Sequence, residues 1–121
     1  MAQVRYFVSD VAASVEFYVD ALGFGVVQQF GPAMAIIERE DLTLWLAGPG
    51  ASASRPMPDG RVPEPGGWNR FVMTVDDLAA TVDALRARGV GFRNDVVTGP
   101  GGQQILVEDP DGNVVEVFQP A

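Results

Sequence analysis

The chain repeats itself. Val8-Ser-Asp-Val-Ala-Ala-Ser-Val-Glu16 can be laid on Val75-Asp-Asp-Leu-Ala-Ala-Thr-Val-Asp83 at a constant offset of 67 residues. Self-similarity of this kind means that one supersecondary unit is used twice. Each copy follows an alternating segment, Val4-Arg-Tyr-Phe-Val8 in the first half and Phe71-Val-Met-Thr-Val75 in the second. Alternation rich in aromatic and β-branched residues predicts a half-buried strand.

A capping residue then opens a helix in each copy, Ser9 or Asp10 first and Asp76 or Asp77 second. Val11, Val15, Tyr18 and Leu22 recur at helical spacing, as do Leu78, Val82 and Leu85. Gly23 and Gly89 stop the two helices. Three strands are expected after each: 25–30, 33–39 and 42–47, then 91–96, 103–108 and 113–118. Asp109-Pro-Asp-Gly-Asn113 turns between the last two. Both halves therefore read β-α-β-β-β, as module one (1–47) and module two (68–121) of a single domain. Residues 48–67, rich in Gly, Pro, Ser and Ala, lie between them as an inter-module linker or a pocket lid.

The residue types that are absent narrow the chemistry. Among 121 residues there is no His and no Cys, and all eight basic residues are arginine. Ser-His-Asp and Cys-His nucleophiles, and a lysine Schiff base, are excluded within this chain. Transition-metal sites usually draw on imidazole or thiolate, and only carboxylates, amides and backbone oxygens remain. The net charge of −8 disfavours nucleic acid and anionic membrane as partners. It suits a cationic or neutral ligand better. With no disulfide framework and no apolar leader in the first twenty residues, a cytoplasmic address is expected.

Together, Val8-Ser-Asp-Val-Ala-Ala-Ser-Val-Glu-Phe-Tyr18, Ala21-Leu-Gly-Phe24, Val75-Asp-Asp-Leu78 and Asp109-Pro-Asp-Gly-Asn-Val-Val-Glu-Val117 resemble the vicinal-oxygen-chelate superfamily of glyoxalases, bleomycin-resistance proteins and extradiol dioxygenases. The resemblance implies an α+β fold of two βαβββ modules forming a half-open mixed-sheet barrel, with helices on the convex side. It also implies four metal ligands from the first and fourth strands of each module, which carry over to Gln3, Trp45, Arg70 and Glu116. Glutamine still occurs at the first position in some metal-binding members. Tryptophan cannot ligate, and a fixed guanidinium repels a divalent ion. No metal and no other cofactor are therefore expected.

Strand parity sends Gln3, Arg5 and Phe7 to the concave side in module one, and Trp68, Arg70, Val72 and Thr74 in module two. Trp45 depends on register, since a slip of one residue would put Leu44 there. Arg70 and Glu116 either orient a ligand or brace the sheets as a salt bridge. Trp45 and Trp68, with Phe7 and Phe30 nearby, either pack as core or offer stacking surface to a planar ligand. Met57 stands near the middle of the linker.

Two functions fit. The first resembles the drug-sequestering branch: metal-independent binding of a small aromatic or cationic natural product or antibiotic, by a homodimer with shared clefts. The second is an enzyme of the same fold, either a metal-dependent lyase, isomerase or dioxygenase, or a metal-free biosynthetic enzyme with Glu116 as general base.

Overall fold

A computed structural model describes residues 2–121, which form two compact units that divide between Gly66 and Gly67. The first runs β1 (Val4–Phe7), α1 (Val11–Asp20), β2 (Gly25–Phe30), β3 (Met34–Arg39) and β4 (Leu42–Ala47). The second runs β5 (Phe71–Thr74), α2 (Leu78–Ala87), β6 (Gly91–Phe92), β7 (Val97–Gly99), β8 (Gly102–Glu108) and β9 (Val114–Pro120).

The repeat is visible at the atomic level. The Asp10 carboxylate accepts from the Ala13 N–H and the Asp77 carboxylate from the Ala80 N–H, at 3.1 and 3.0 Å. Each satisfies one of the amides that a helix start leaves without a partner. At the other ends Gly23 and Gly89 take φ of +76° and +77°, where a side chain would be strained.

Each unit is a mixed sheet with its helix on one face. In the first, the strand order is β1-β4-β3-β2, with β1 and β4 parallel. Tyr6, Leu46 and Ala35 form one cross-strand row toward α1, and Val4, Leu44 and Ile37 form the next. Tyr18 of α1 is fully buried and meets Phe24 edge to face. In the second unit β5 and β9 pair in parallel, and Val115, Val117, Ile105 and Val107 are fully buried with Leu78 and Leu85 of α2. Burying each such side chain contributes roughly 1.5–3 kcal/mol.

One expected strand is broken. The segment 91–96 was predicted as a single strand, but two short pieces, β6 and β7, line the same edge of β8. The cause is a side chain in place of backbone. Arg93 donates its N–H to the Leu106 carbonyl, and the Leu106 N–H is then taken by the Asn94 Oδ1 at 2.9 Å. The ladder is thus completed without Asn94's backbone, and the chain turns away before rejoining at Val97. The last strand also starts and ends later than 113–118, because Asn113 belongs to the preceding turn.

Ser14 is the exception in the first core. Its hydroxyl is fully buried on α1 with no hydrogen-bond partner. An unpaired buried hydroxyl is destabilising, and alanine is also the better helix former. Ser14→Ala is therefore expected to raise the unfolding free energy by about 1 kcal/mol. A lower urea midpoint in the variant would show that the hydroxyl has an unrecognised role.

Candidate functional site

In the first unit the face away from α1 carries the candidate residues. Register places Arg5 beside Trp45 and Trp45 beside Ile36 in one cross-strand row. Leu44 and Leu46 point the other way and are fully buried, so Trp45, half-buried, shares its face with Arg5. The Arg5 guanidinium lies over the indole, 4.9 Å from the ring centroid. Gln3 precedes β1 and is exposed.

Phe7 lies one row further along, in register with Ala47, Met34 and Phe30. That row spans the whole sheet, so Phe7 and Phe30 stand about 14 Å apart, three inter-strand spacings. Phe30 belongs to the outer strand β2 and is 45% exposed. The sheet brings Arg5, Trp45 and Phe7 together and leaves Phe30 at the far edge.

The segment after β4 packs as part of the first unit. Ser54 Oγ donates to the Gly48 carbonyl at 2.7 Å, and Ala51 is buried. Val62, Pro63 and Pro65 then wall a cavity of about 390 Å³ with Phe7, Ala47 and Ser54, a volume in the range of small-ligand sites. Met57 is not among its lining residues. It opens the turn 57–61, in which its N–H bonds the Arg61 carbonyl, and is 42% exposed.

In the second unit Glu116 of β9 sits between Val72 of β5 and Leu106 of β8, on the face away from the buried Val115 and Val117. Arg70, just before β5, reaches the same face. Its Nε and Nη2 both donate to Glu116 Oε1, at 3.0 and 2.9 Å. The carboxylate side chain is 11% exposed and the guanidinium 28%. Trp68 also precedes β5. It is 68% exposed, with the Arg93 guanidinium over its ring at 4.5 Å. Arg93 carries no sequence signal: its other partners, Gly67, Glu108 and Gly112, are scattered along the chain.

With this arrangement defined, comparison with known proteins is decisive at the level of family. The profile of the Glyoxalase/Bleomycin resistance protein/Dioxygenase superfamily matches residues 1–117. The chain belongs to that superfamily. Among solved structures it is similar to TnmS3, an antibiotic binding protein from Streptomyces sp. CB03234, at 28% identity and TM-score 0.75, covering 100% of this chain and 96% of that one. It is similar also to a superfamily member from Sphaerobacter thermophilus DSM 20745, at 27% identity and TM-score 0.77, covering 98% and 96%. A lactoylglutathione lyase from Agrobacterium tumefaciens shares the fold, at 22% identity and TM-score 0.74 over 98% and 92% of the chains. Comparison with curated proteins gives no significant match.

The superfamily's metal enzymes raise the question of whether these residues could hold a cation, and the donors do not fit one. Trp45 has no ligating atom. Arg70 brings a permanent positive charge to Glu116 and directs two N–H groups at its Oε1. Among the described residues no group of three or more His, Cys, Asp or Glu side chains is arranged around a common point. Among the described residues no helix is long and apolar enough to cross a membrane.

Proposed function

We propose that this protein binds and sequesters a small aromatic or cationic natural product of the antibiotic class, without a metal. The observation that carries the reading is the Arg70–Glu116 pair. The carboxylate that would otherwise be available to a cation is held by a guanidinium on Oε1. What each unit offers is recognition chemistry: a polar pair in the second and a tryptophan under an arginine in each. The similarity to an antibiotic binding protein along the full chain supports the same reading.

The proposal includes a cytoplasmic homodimer. An uncharged edge strand supports self-association: Val26, Val27 and Phe30 of β2 are 50%, 53% and 45% exposed. Open edges with apolar side chains are surfaces that proteins ordinarily cover. Sedimentation equilibrium measures that part directly.

The test of binding is a titration in EDTA with cationic and polycyclic antibiotics, following quenching of the two tryptophans. Saturable, stoichiometric binding at micromolar affinity or better, about 8 kcal/mol, is the expected result. Binding that appears only when a divalent metal is restored would overturn the metal-free reading. Glu116→Gln should weaken binding. A variant that kept full affinity but lost turnover of the bound molecule would instead make Glu116 a general base.

A further inference from the structure

We infer that Arg93 is a positioning residue that fixes Trp68 as a one-sided stacking platform, selective for neutral or anionic planar rings over cationic ones. The inference rests on the binding function proposed above and chooses between its two ligand classes.

Arg93 is held at four points. Its backbone N–H bonds the Leu106 carbonyl, Nε donates to Glu108 Oε2 at 3.2 Å, Nη1 to the Gly67 carbonyl at 2.7 Å, and Nη2 to the Gly112 carbonyl at 2.8 Å. Its side chain is only 18% exposed. The plane of the guanidinium is therefore set before anything binds. The Arg93 Cζ lies over the Trp68 ring, 4.5 Å from its centroid, and the same fork holds the peptide carbonyl just ahead of the tryptophan. Ring and backbone pivot are fixed together.

Yet Trp68 is 68% exposed. A tryptophan this open would normally sample several rotamers, and ordering it on binding would cost affinity. Here the ordering is already done by a side chain that covers one face and leaves the other to solvent. Arginine suits this role because its planar fork can stack and hydrogen-bond at once, which a lysine cannot do.

The same contact sets the charge preference. The ring's negative face attracts a cation, and on one side Arg93 already satisfies it. A second cation on the open side would sit about 8–9 Å from the guanidinium. At effective dielectrics between about 20 and 80 that repulsion is worth roughly two- to thirtyfold in affinity. Glu108, paired with the Arg93 Nε at 3.2 Å, offsets part of it and brings the expected preference toward the lower end of that range. Trp45 carries Arg5 in the same way, and Arg5 has no ion pair among the described residues. A neutral or electron-rich ring meets no such penalty at either tryptophan.

The experiment uses full-length Trp45→Phe protein, in which Trp68 is the single indole. Its fluorescence is followed with 2-naphthol, 2-naphthalenesulfonate and N-methylquinolinium as neutral, anionic and cationic planar probes. The neutral probe is expected to bind about fivefold or more tighter than the cation. Arg93→Gln should lower the steady-state anisotropy of Trp68 and bring the two affinities to within about twofold. Arg93→Lys, which keeps charge but not the planar fork, should lower the anisotropy as well. Equal or tighter binding of the cation by the parent protein would overturn the inference, and needs no variant that might fold poorly. Unchanged anisotropy and unchanged selectivity in Arg93→Gln would overturn it too. If antibiotics bind in EDTA while the naphthyl probes show no neutral preference, the inference fails and sequestration stands. If neither antibiotics nor probes bind, both fail.

Discussion

Asp109→Ala is expected to lower the unfolding free energy by about 3–5 kcal/mol, the largest loss from a single side chain away from the hydrophobic core. Asp109 is 5% exposed at the turn between β8 and β9. Its Oδ1 accepts from the Asp111 and Asn113 N–H groups, both at 2.9 Å, and its Oδ2 accepts from Asn113 Nδ2 at 2.9 Å. Hydrogen bonds to a charged acceptor contribute more than neutral ones, about 1.5–3 kcal/mol each. Alanine leaves the Asn113 amide and side chain, itself 4% exposed, without these bonds. The Asp111 amide is less buried and can turn to water, which keeps the total below the sum of three. Asp109→Asn retains both backbone bonds through its carbonyl oxygen but sets one amide N–H₂ against another, and should cost about 1–2 kcal/mol. In thermal unfolding the alanine variant should melt roughly 12–20 °C lower. Equal losses for the two variants would mean that the side-chain pair with Asn113, rather than the backbone bonds, holds the turn.

Asp109 also illustrates what the sequence makes legible. The run Asp-Pro-Asp-Gly-Asn announces a turn because its interactions span only four residues, and the structure satisfies them locally. The helix caps are legible for the same reason, since Asp10 and Asp77 each reach an amide three residues ahead. Strand parity around β1 and β5 follows from local alternation. In β4 it does not: Leu42-Thr-Leu-Trp-Leu-Ala47 is apolar almost throughout, so which of Leu44 and Trp45 faces the helix is decided by pairing with Val4 and Arg5. The break between β6 and β7 is hidden for a related reason. It depends on Asn94 meeting Leu106, a partner that only the folded sheet supplies. Arg93 is the extreme case. Its three side-chain partners lie at positions 67, 108 and 112, so no window of sequence contains them.

Parity places Arg70, and the family resemblance places Glu116, on one face, but both leave open whether they brace the unit or orient a ligand, and a double-mutant cycle separates the two. Arg70→Met strands a carboxylate whose side chain is 11% exposed, and is expected to cost about 2–3 kcal/mol. Glu116→Met leaves the guanidinium, which is 28% exposed and can reach water, so its cost should be nearer 1 kcal/mol. The double variant should recover most of both losses, because replacing a buried ion pair with apolar side chains of similar volume is often neutral or favourable. Urea unfolding supplies these stabilities, with a coupling of at least 1 kcal/mol expected between neighbours of this kind. Ligand affinity then decides the role. A pair that orients ligand gives a double variant that is stable yet binds the antibiotic at least tenfold more weakly, about 1.4 kcal/mol. A pair that only braces gives a double variant whose affinity matches the parent, in which case recognition would rest on Trp45, Trp68 and their arginines, and the ion pair would have no part in holding the drug.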